Sequence, residues 1–112
     1  MKYIIIKTRK EAFHNWNDAP QEVEFLKNLH RHIFYIEVEI SVSRNDRELE
    51  FFIVKKELDN YLEAYLNNKN RIVGSCEMFA EDILRFIIGK YPNRKYMVSV
   101  FEDNENGARV EK

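Results

Sequence analysis

The feature that most constrains the fold is the regular alternation of side chains between residues 32 and 42. After an initial histidine the even positions are apolar, and they read His32, Phe34, Ile36, Val38, Ile40 and Val42. The odd positions include Glu37, Glu39 and Ser41. Because successive side chains of a strand point to opposite faces, this pattern predicts a β-strand with one buried face. The chain therefore contains a sheet that is covered on one side.

The rest of the chain supplies the other elements. A first strand is predicted over residues 3–13, and a long polar loop over 14–29 has a short helical turn near 23–26. A turn over 44–47 leads into a short extended piece over 48–52. Helical spacing of apolar residues predicts one helix from about Val54 to Leu66 and a second one after Ser75, its N-cap. Strands over about 95–102 and 107–111, joined by an Asn-Gly turn, complete the chain.

The order β-β-α-α-β-β predicts an α+β fold, in which an antiparallel four-stranded sheet carries both helices on one face. A length of 112 residues favours a single domain over 1–112. The formal net charge of −1 argues against a nucleic-acid partner. The apolar run near the N-terminus is too short for a signal peptide or a membrane span, and Cys76 has no disulfide partner. We therefore expect a cytoplasmic protein with no membrane partner.

Two of the three histidines, His30 and His32, stand two positions apart at the start of the predicted second strand. Side chains at i and i+2 of a strand share a face, and neutral imidazole is a common zinc ligand. His14 joins them if the first two strands pair antiparallel. Three histidines leave one tetrahedral position open, which is typical of a catalytic zinc. The alternative is that these histidines are hydrogen-bonded packing residues.

A carboxylate, Glu102, continues the apolar face formed by Tyr96, Val98 and Val100. A buried carboxylate is costly unless it is paired or hydrogen-bonded. One interpretation is that Glu102 reaches solvent at the end of its strand. The other is that it accepts two N–H donors from a ligand with a guanidine-like ring edge.

The segments AFHNW, LHRHIFYIEVEI and VSVFEDNENGA together resemble the 6-pyruvoyl-tetrahydropterin synthase family, which includes 6-carboxy-tetrahydropterin synthase of queuosine biosynthesis. The resemblance covers nearly the whole chain. It implies the tunnelling fold, in which sheets of several subunits form a barrel and two trimeric barrels stack as a homo-oligomer, a hexamer. It also implies that His14, His30 and His32 bind Zn2+ and that Glu102 anchors a pterin ring. Glu77 matches the glutamate of the family's P-T-x-E-N motif, which implies a substrate contact.

The sequence also departs from the family pattern. The family's catalytic cysteine is replaced by Leu26, and the L-D-H segment that carries an Asp-His pair is absent from NYLEAYLNN. Arg31 replaces the glycine of H-G-H and is a candidate for substrate binding. Glu24, in the loop, is the candidate catalytic base. Cys76 stands at a helix N-terminus, which can lower a thiol pKa, but we interpret it as a packing residue.

These patterns favour a zinc-dependent, lyase-like enzyme that acts on a pterin such as dihydroneopterin triphosphate. Zinc would act as a Lewis acid, Glu102 would hold the ring, and Glu24 would move protons. The alternative is a non-catalytic zinc- and pterin- or purine-binding protein of the same fold, which the missing cysteine and Asp-His pair favour. A third interpretation is a structural oligomer in which the histidines only pack.

Overall fold

The computed structural model describes residues 1–112. Its elements are β1 (Lys2–His14), a 3₁₀ segment (Gln21–Lys27), β2 (His30–Val42), α1 (Phe51–Lys69), α2 (Cys76–Lys90), β3 (Tyr96–Glu102) and β4 (Gly107–Glu111). The predicted order β-β-α-α-β-β is therefore confirmed. Neither helix combines the length and the apolar character needed to cross a bilayer.

The four strands form one antiparallel sheet in the order β1-β2-β3-β4. β1 and β2 pair along their whole length, so that His14 lies opposite His30. β2 and β3 pair with Phe34 opposite Glu102. This register brings the three histidines and the carboxylate to the same end of the sheet, on the face that the helices cover.

Both helices pack on that face and share one hydrophobic core with the even positions of β2. The β2 side chains Phe34, Ile36, Val38 and Ile40 are at most 1% exposed. Their partners from the helices are Val54, Leu58 and Leu62 of α1 and Phe79, Ile83 and Ile87 of α2. Each such side chain contributes roughly 1.5–3 kcal/mol when it is fully buried. The α+β architecture predicted from the order of the elements is thus confirmed.

The helix ends explain one wrong prediction. The extended piece predicted over 48–52 is not a strand, because α1 already begins at Phe51. Glu50 is the N-cap of α1, and its carboxylate accepts hydrogen bonds from the backbone N–H groups of Phe52 and Ile53. Ser75 caps α2 as predicted, by accepting a hydrogen bond from the backbone N–H of Met78. This cap fixes the first turn of α2 over the end of the sheet.

The opposite face of the sheet carries no helix. Two large apolar side chains of β1 stand on it, Ile5 at 53% exposed and Phe13 at 44% exposed. β1 and β4 are the two edge strands, and no further strand of the chain pairs with either of them. One β1 carbonyl, that of Phe13, accepts a hydrogen bond from the Ile72 N–H at 2.9 Å. The sheet therefore has free hydrogen-bonding edges and a partly apolar open face.

Candidate metal centre

The three histidines meet at the end of the sheet. His14 is the last residue of β1, and His30 and His32 are the first and third residues of β2. Their ring centroids are 4.4 Å (His14–His30), 5.1 Å (His14–His32) and 5.0 Å (His30–His32) apart. One nitrogen from each ring lies within 4.8 Å of the others. The three residues are therefore positioned to bind a metal ion.

Two of the three histidines have a partner that holds the ring from outside the cluster. His30 Nδ1 lies 2.8 Å from the carbonyl oxygen of Asn28, and His32 Nδ1 lies 2.6 Å from Oδ2 of Asp103. The backbone of Gly74, close to the His14 ring, acts to raise the pKa of that ring. Because a carbonyl or carboxylate can only accept, Nδ1 of His30 and of His32 donates, and the lone pair is on Nε2. Metal-bound histidines have outer partners of this kind.

The inner nitrogens lack partners in the protein. Nε2 of His14 and Nε2 of His30 are buried and form no hydrogen bond. A buried polar atom without a partner costs free energy, typically about 1–3 kcal/mol. A cation bound between these nitrogens would remove that cost, so the donor set fits a metal such as zinc.

The charge state of His14 agrees with this role. Burial lowers the pKa of His14, and the neighbouring His30 and His32 act in the same direction, whereas Glu102 and Gly74 oppose the shift. A lowered pKa keeps the imidazole neutral near neutral pH. A neutral imidazole is the form that binds a metal.

Asp103 is fixed tightly beside the cluster. Its Oδ1 accepts a hydrogen bond of 2.9 Å from the Ile33 N–H, and its own N–H donates to the Ile33 carbonyl at 2.7 Å. Asp103 and Asn104 have φ values of 52° and 58°, a left-handed conformation that costs free energy in residues other than glycine. The Ile33 N–H and the His32 ring hold the pKa of Asp103 below its ordinary value. Asp103 therefore stays ionised and orients the His32 ring.

Glu102 lies directly against the histidine rings. Its Oε2 is 3.3 Å from His14 Nε2, and its Oε1 is 3.7 Å from His32 Nε2. Cys76 Sγ lies 3.8 Å from the same Oε2. The Glu102 side chain is 32% exposed, and its two oxygens nevertheless face two of the candidate ligands.

A cavity of about 560 Å³ opens beside the cluster. His14, His30 and Glu102 line one side of it, and the first turn of α2 lines another with Ser75, Cys76, Glu77 and Met78. The remaining lining residues are Asn15, Trp16, Leu26, Gly74, Asn106 and Gly107. The Trp16 side chain is half exposed and provides an aromatic wall. Glu77, a predicted substrate contact, is therefore next to the candidate metal centre.

The interpretation of Cys76 as a simple packing residue is incomplete, because its thiol lines this cavity beside Glu102. The helix N-terminus does not make the thiol acidic. Burial, assisted by the Glu102 carboxylate, raises the pKa of Cys76 to about 12. The thiol stays protonated at neutral pH and can donate a hydrogen bond to the carboxylate.

Two predicted site residues lie elsewhere in the chain. Glu24 is in the 3₁₀ segment, two-thirds exposed, with Lys27 as its ionic neighbour at 4.0 Å. Arg31 alternates with the histidines along β2, so its side chain is on the opposite face of the sheet, where it pairs with Glu11 at 2.6 Å. Neither residue lines the cavity. The structure therefore does not place Glu24 as a base, or Arg31 as a substrate contact, in this pocket of one chain.

The sequence reasoning missed two residues of the site. Asp103 looked like an ordinary turn residue, although its place after Glu102, opposite the start of β2, puts it within reach of His32. Trp16 lies in the polar loop after β1, and its backbone N–H donates a hydrogen bond to the Leu26 carbonyl at 2.7 Å. The only tryptophan of the chain, two positions after His14, was the available signal.

A scan against protein-family models finds no match to this chain, and neither does a search of the curated proteins.

Proposed function

We propose that the protein is a zinc-dependent, lyase-like enzyme of the pterin synthase type, acting on a pterin such as dihydroneopterin triphosphate. The observation that carries the proposal is the cluster of three histidines. The outer nitrogens of His30 and His32 have hydrogen-bond partners, while the buried Nε2 atoms of His14 and His30 have none. Packing alone leaves those buried atoms unexplained, which counts against the purely structural interpretation.

The donor set fits zinc, and His14, His30 and His32 would hold it. Bound zinc supplies a Lewis acid that polarises an oxygen of the substrate. The chain's own residues then bind and orient the ligand. Asp103 and the Asn28 carbonyl keep two of the rings in the tautomer that binds a metal.

The adjoining cavity supports a flat heteroaromatic ligand. Trp16 offers an aromatic face against which a planar ring can stack. Glu77 and Glu102 offer carboxylates, and a carboxylate accepts two parallel N–H donors from a guanidine-like ring edge. A volume of about 560 Å³ lies within the range of small-molecule sites. These features together favour a pterin or a related purine-derived ring.

The alternative is a zinc- and pterin- or purine-binding protein of the same fold that does not catalyse a reaction. One observation favours it. A lyase needs a group that moves protons, but Glu24 lies outside the cavity, Leu26 replaces the family's cysteine, and the Cys76 thiol has a pKa of about 12. Only Glu77 and Glu102 remain as candidate bases in the pocket.

We also propose that the chain works as a homo-oligomer, as the resemblance to hexameric tunnelling-fold proteins implies. The free edges of β1 and β4 and the half-exposed Ile5 and Phe13 support this proposal, since exposed sheet edges favour pairing with another chain. A second copy could also contribute groups that a single cavity lacks.

The test begins with the zinc content of the purified protein, measured by elemental analysis, with His32→Ala as the variant. We expect about one zinc per chain, and its loss in the variant with an unchanged circular dichroism spectrum. The zinc-loaded protein is then offered dihydroneopterin triphosphate. Turnover supports the enzyme, and ligand binding without turnover supports the alternative. If the protein binds neither zinc nor the ligand, both proposals are refuted.

A further inference from the structure

Glu102 faces two nitrogen lone pairs. The proton of His32 is on Nδ1, where it is donated to Asp103, so Nε2 presents a lone pair to Glu102 Oε1 at 3.7 Å. His14 Nε2 lies 3.3 Å from Oε2 and forms no hydrogen bond with it. Electron-rich atoms at such distances repel one another in a site of low dielectric constant. A cation between them converts this repulsion into attraction.

The distances also match a coordination shell. In a tetrahedral zinc site with ligand bonds of about 2.0–2.1 Å, neighbouring ligand atoms are about 3.3–3.4 Å apart. The separation between Glu102 Oε2 and His14 Nε2 is 3.3 Å. The other carboxylate oxygen, Oε1, lies 3.7 Å from His32 Nε2, so the carboxylate faces two of the three histidines through its two oxygens. No comparable fit exists for Glu77, whose exposed side chain only lines the cavity.

We propose that Glu102 is the fourth ligand of the metal when the cavity is empty, so that the resting site is His14, His30, His32 and Glu102. The proposal rests on the metal centre of the proposed function and adds regulation to it. A carboxylate bound to the metal cannot at the same time hold a ring edge. A substrate therefore has to displace Glu102 from the metal before Glu102 anchors the ring, and the resting metal is protected from other small ligands.

Two neighbours hold Glu102 in this position. Cys76 directs its thiol at Oε2, and the backbone N–H of Glu102 donates to the Asn106 carbonyl at 2.8 Å. His14, whose residue is only 8% exposed, closes the opposite side. These contacts place the carboxylate against the histidines, although its side chain is 32% exposed.

The test uses zinc alone as the probe and needs no substrate. Metal-free wild-type protein, Glu102→Gln and the matched control Glu77→Gln compete for zinc with a chromophoric chelator. We expect Glu102→Gln to bind zinc at least about tenfold more weakly. Even the replacement of a residue that only hydrogen-bonds to a metal ligand lowers metal affinity by this factor. Glu77→Gln, in the same pocket, keeps the wild-type affinity. Equal affinities in wild type and Glu102→Gln would overturn the proposal, because a pure ring anchor predicts that result.

A second measurement works on the native chain and does not depend on the folding of a variant. Cobalt(II) replaces zinc, and its visible spectrum is followed while azide is added. We expect the wild-type spectrum to resist azide at concentrations that change the spectrum of Glu102→Gln. An immediate azide response of wild-type protein would mean that the fourth position is open and would refute the proposal. Failure of wild-type protein to bind any metal would instead refute the proposed function as well.

Discussion

The replacement Asp103→Asn tests how far the metal centre depends on a residue that need not touch the metal. Asp103 Oδ2 accepts the Nδ1 proton of His32 at 2.6 Å, while Oδ1 accepts the Ile33 N–H at 2.9 Å. Asparagine can keep only one of these contacts with its oxygen. If the oxygen stays on Ile33, the amide NH2 group faces His32 and favours the tautomer whose proton is on Nε2. That proton blocks metal binding, so His32 is lost as a ligand in its stable form.

The expected loss of zinc affinity is about 10- to 100-fold, as for other outer partners of metal-binding histidines. The assay is competition with a chromophoric zinc chelator at neutral pH. Glu105→Gln, an exposed position in the same turn, is the control and keeps the wild-type affinity. Urea unfolding of the metal-free proteins verifies that each variant is folded. A folded Asp103→Asn protein that binds zinc as tightly as wild type would refute the role of Asp103 in setting the tautomer.

Two further predictions concern titrating groups. Because the pKa of Cys76 is raised to about 12, we expect the folded protein to react slowly with an aromatic disulfide reagent at pH 8. Glu102→Gln should react faster, because the Glu102 carboxylate is one cause of the raised pKa. Equal reaction rates in folded and urea-unfolded protein would contradict this prediction. Glu48 accepts hydrogen bonds from Arg94 and from the Ser43 and Arg44 N–H groups, which lower its pKa from 4.5 to about 2. Since the folded-state pKa is the lower one, its contribution to the free energy of unfolding is present above pH 4.5 and is lost as the pH falls toward 2. Denaturant titrations at pH 6 and pH 3 should therefore show a smaller loss of stability in Glu48→Gln than in wild type, and identical losses would refute this role of Glu48.

The parts of the fold that follow from local periodicity were predictable. The alternation through Phe34 and Ile40 identifies β2 and its buried face, and Ser75 identifies the start of α2 through the hydrogen-bonding capacity of its hydroxyl. The start of α1 was not predicted, because Phe51, Phe52 and Ile53 favour extended structure by composition. The Glu50 carboxylate overrides that preference by capping the first turn of the helix.

Five residues of the candidate site were predicted from the sequence, namely His14, His30, His32, Glu77 and Glu102. His30 and His32 share a face by strand geometry alone, whereas the position of His14 depends on the pairing of β1 with β2. The contact of Asp103 with His32 depends on the register between β2 and β3 and on two left-handed residues in the following turn. Such tertiary relations leave no periodic trace in the sequence. Arg31 differs from these cases, because its position between His30 and His32 in a strand already places its side chain on the opposite face of the sheet.

The candidate metal centre joins segments that are far apart in the chain. They are the end of β1, the start of β2, the end of β3 and the segment before α2, where Gly74 lies near the His14 ring. An ion held there binds the folded chain and not the unfolded one, so it shifts the folding equilibrium by mass action. At a free metal concentration one hundred times the dissociation constant, this linkage adds about 2.7 kcal/mol to a folding free energy of typically about 5–15 kcal/mol. The fraction of chains that escape unfolding and proteolysis would then rise and fall with the supply of metal in the surroundings.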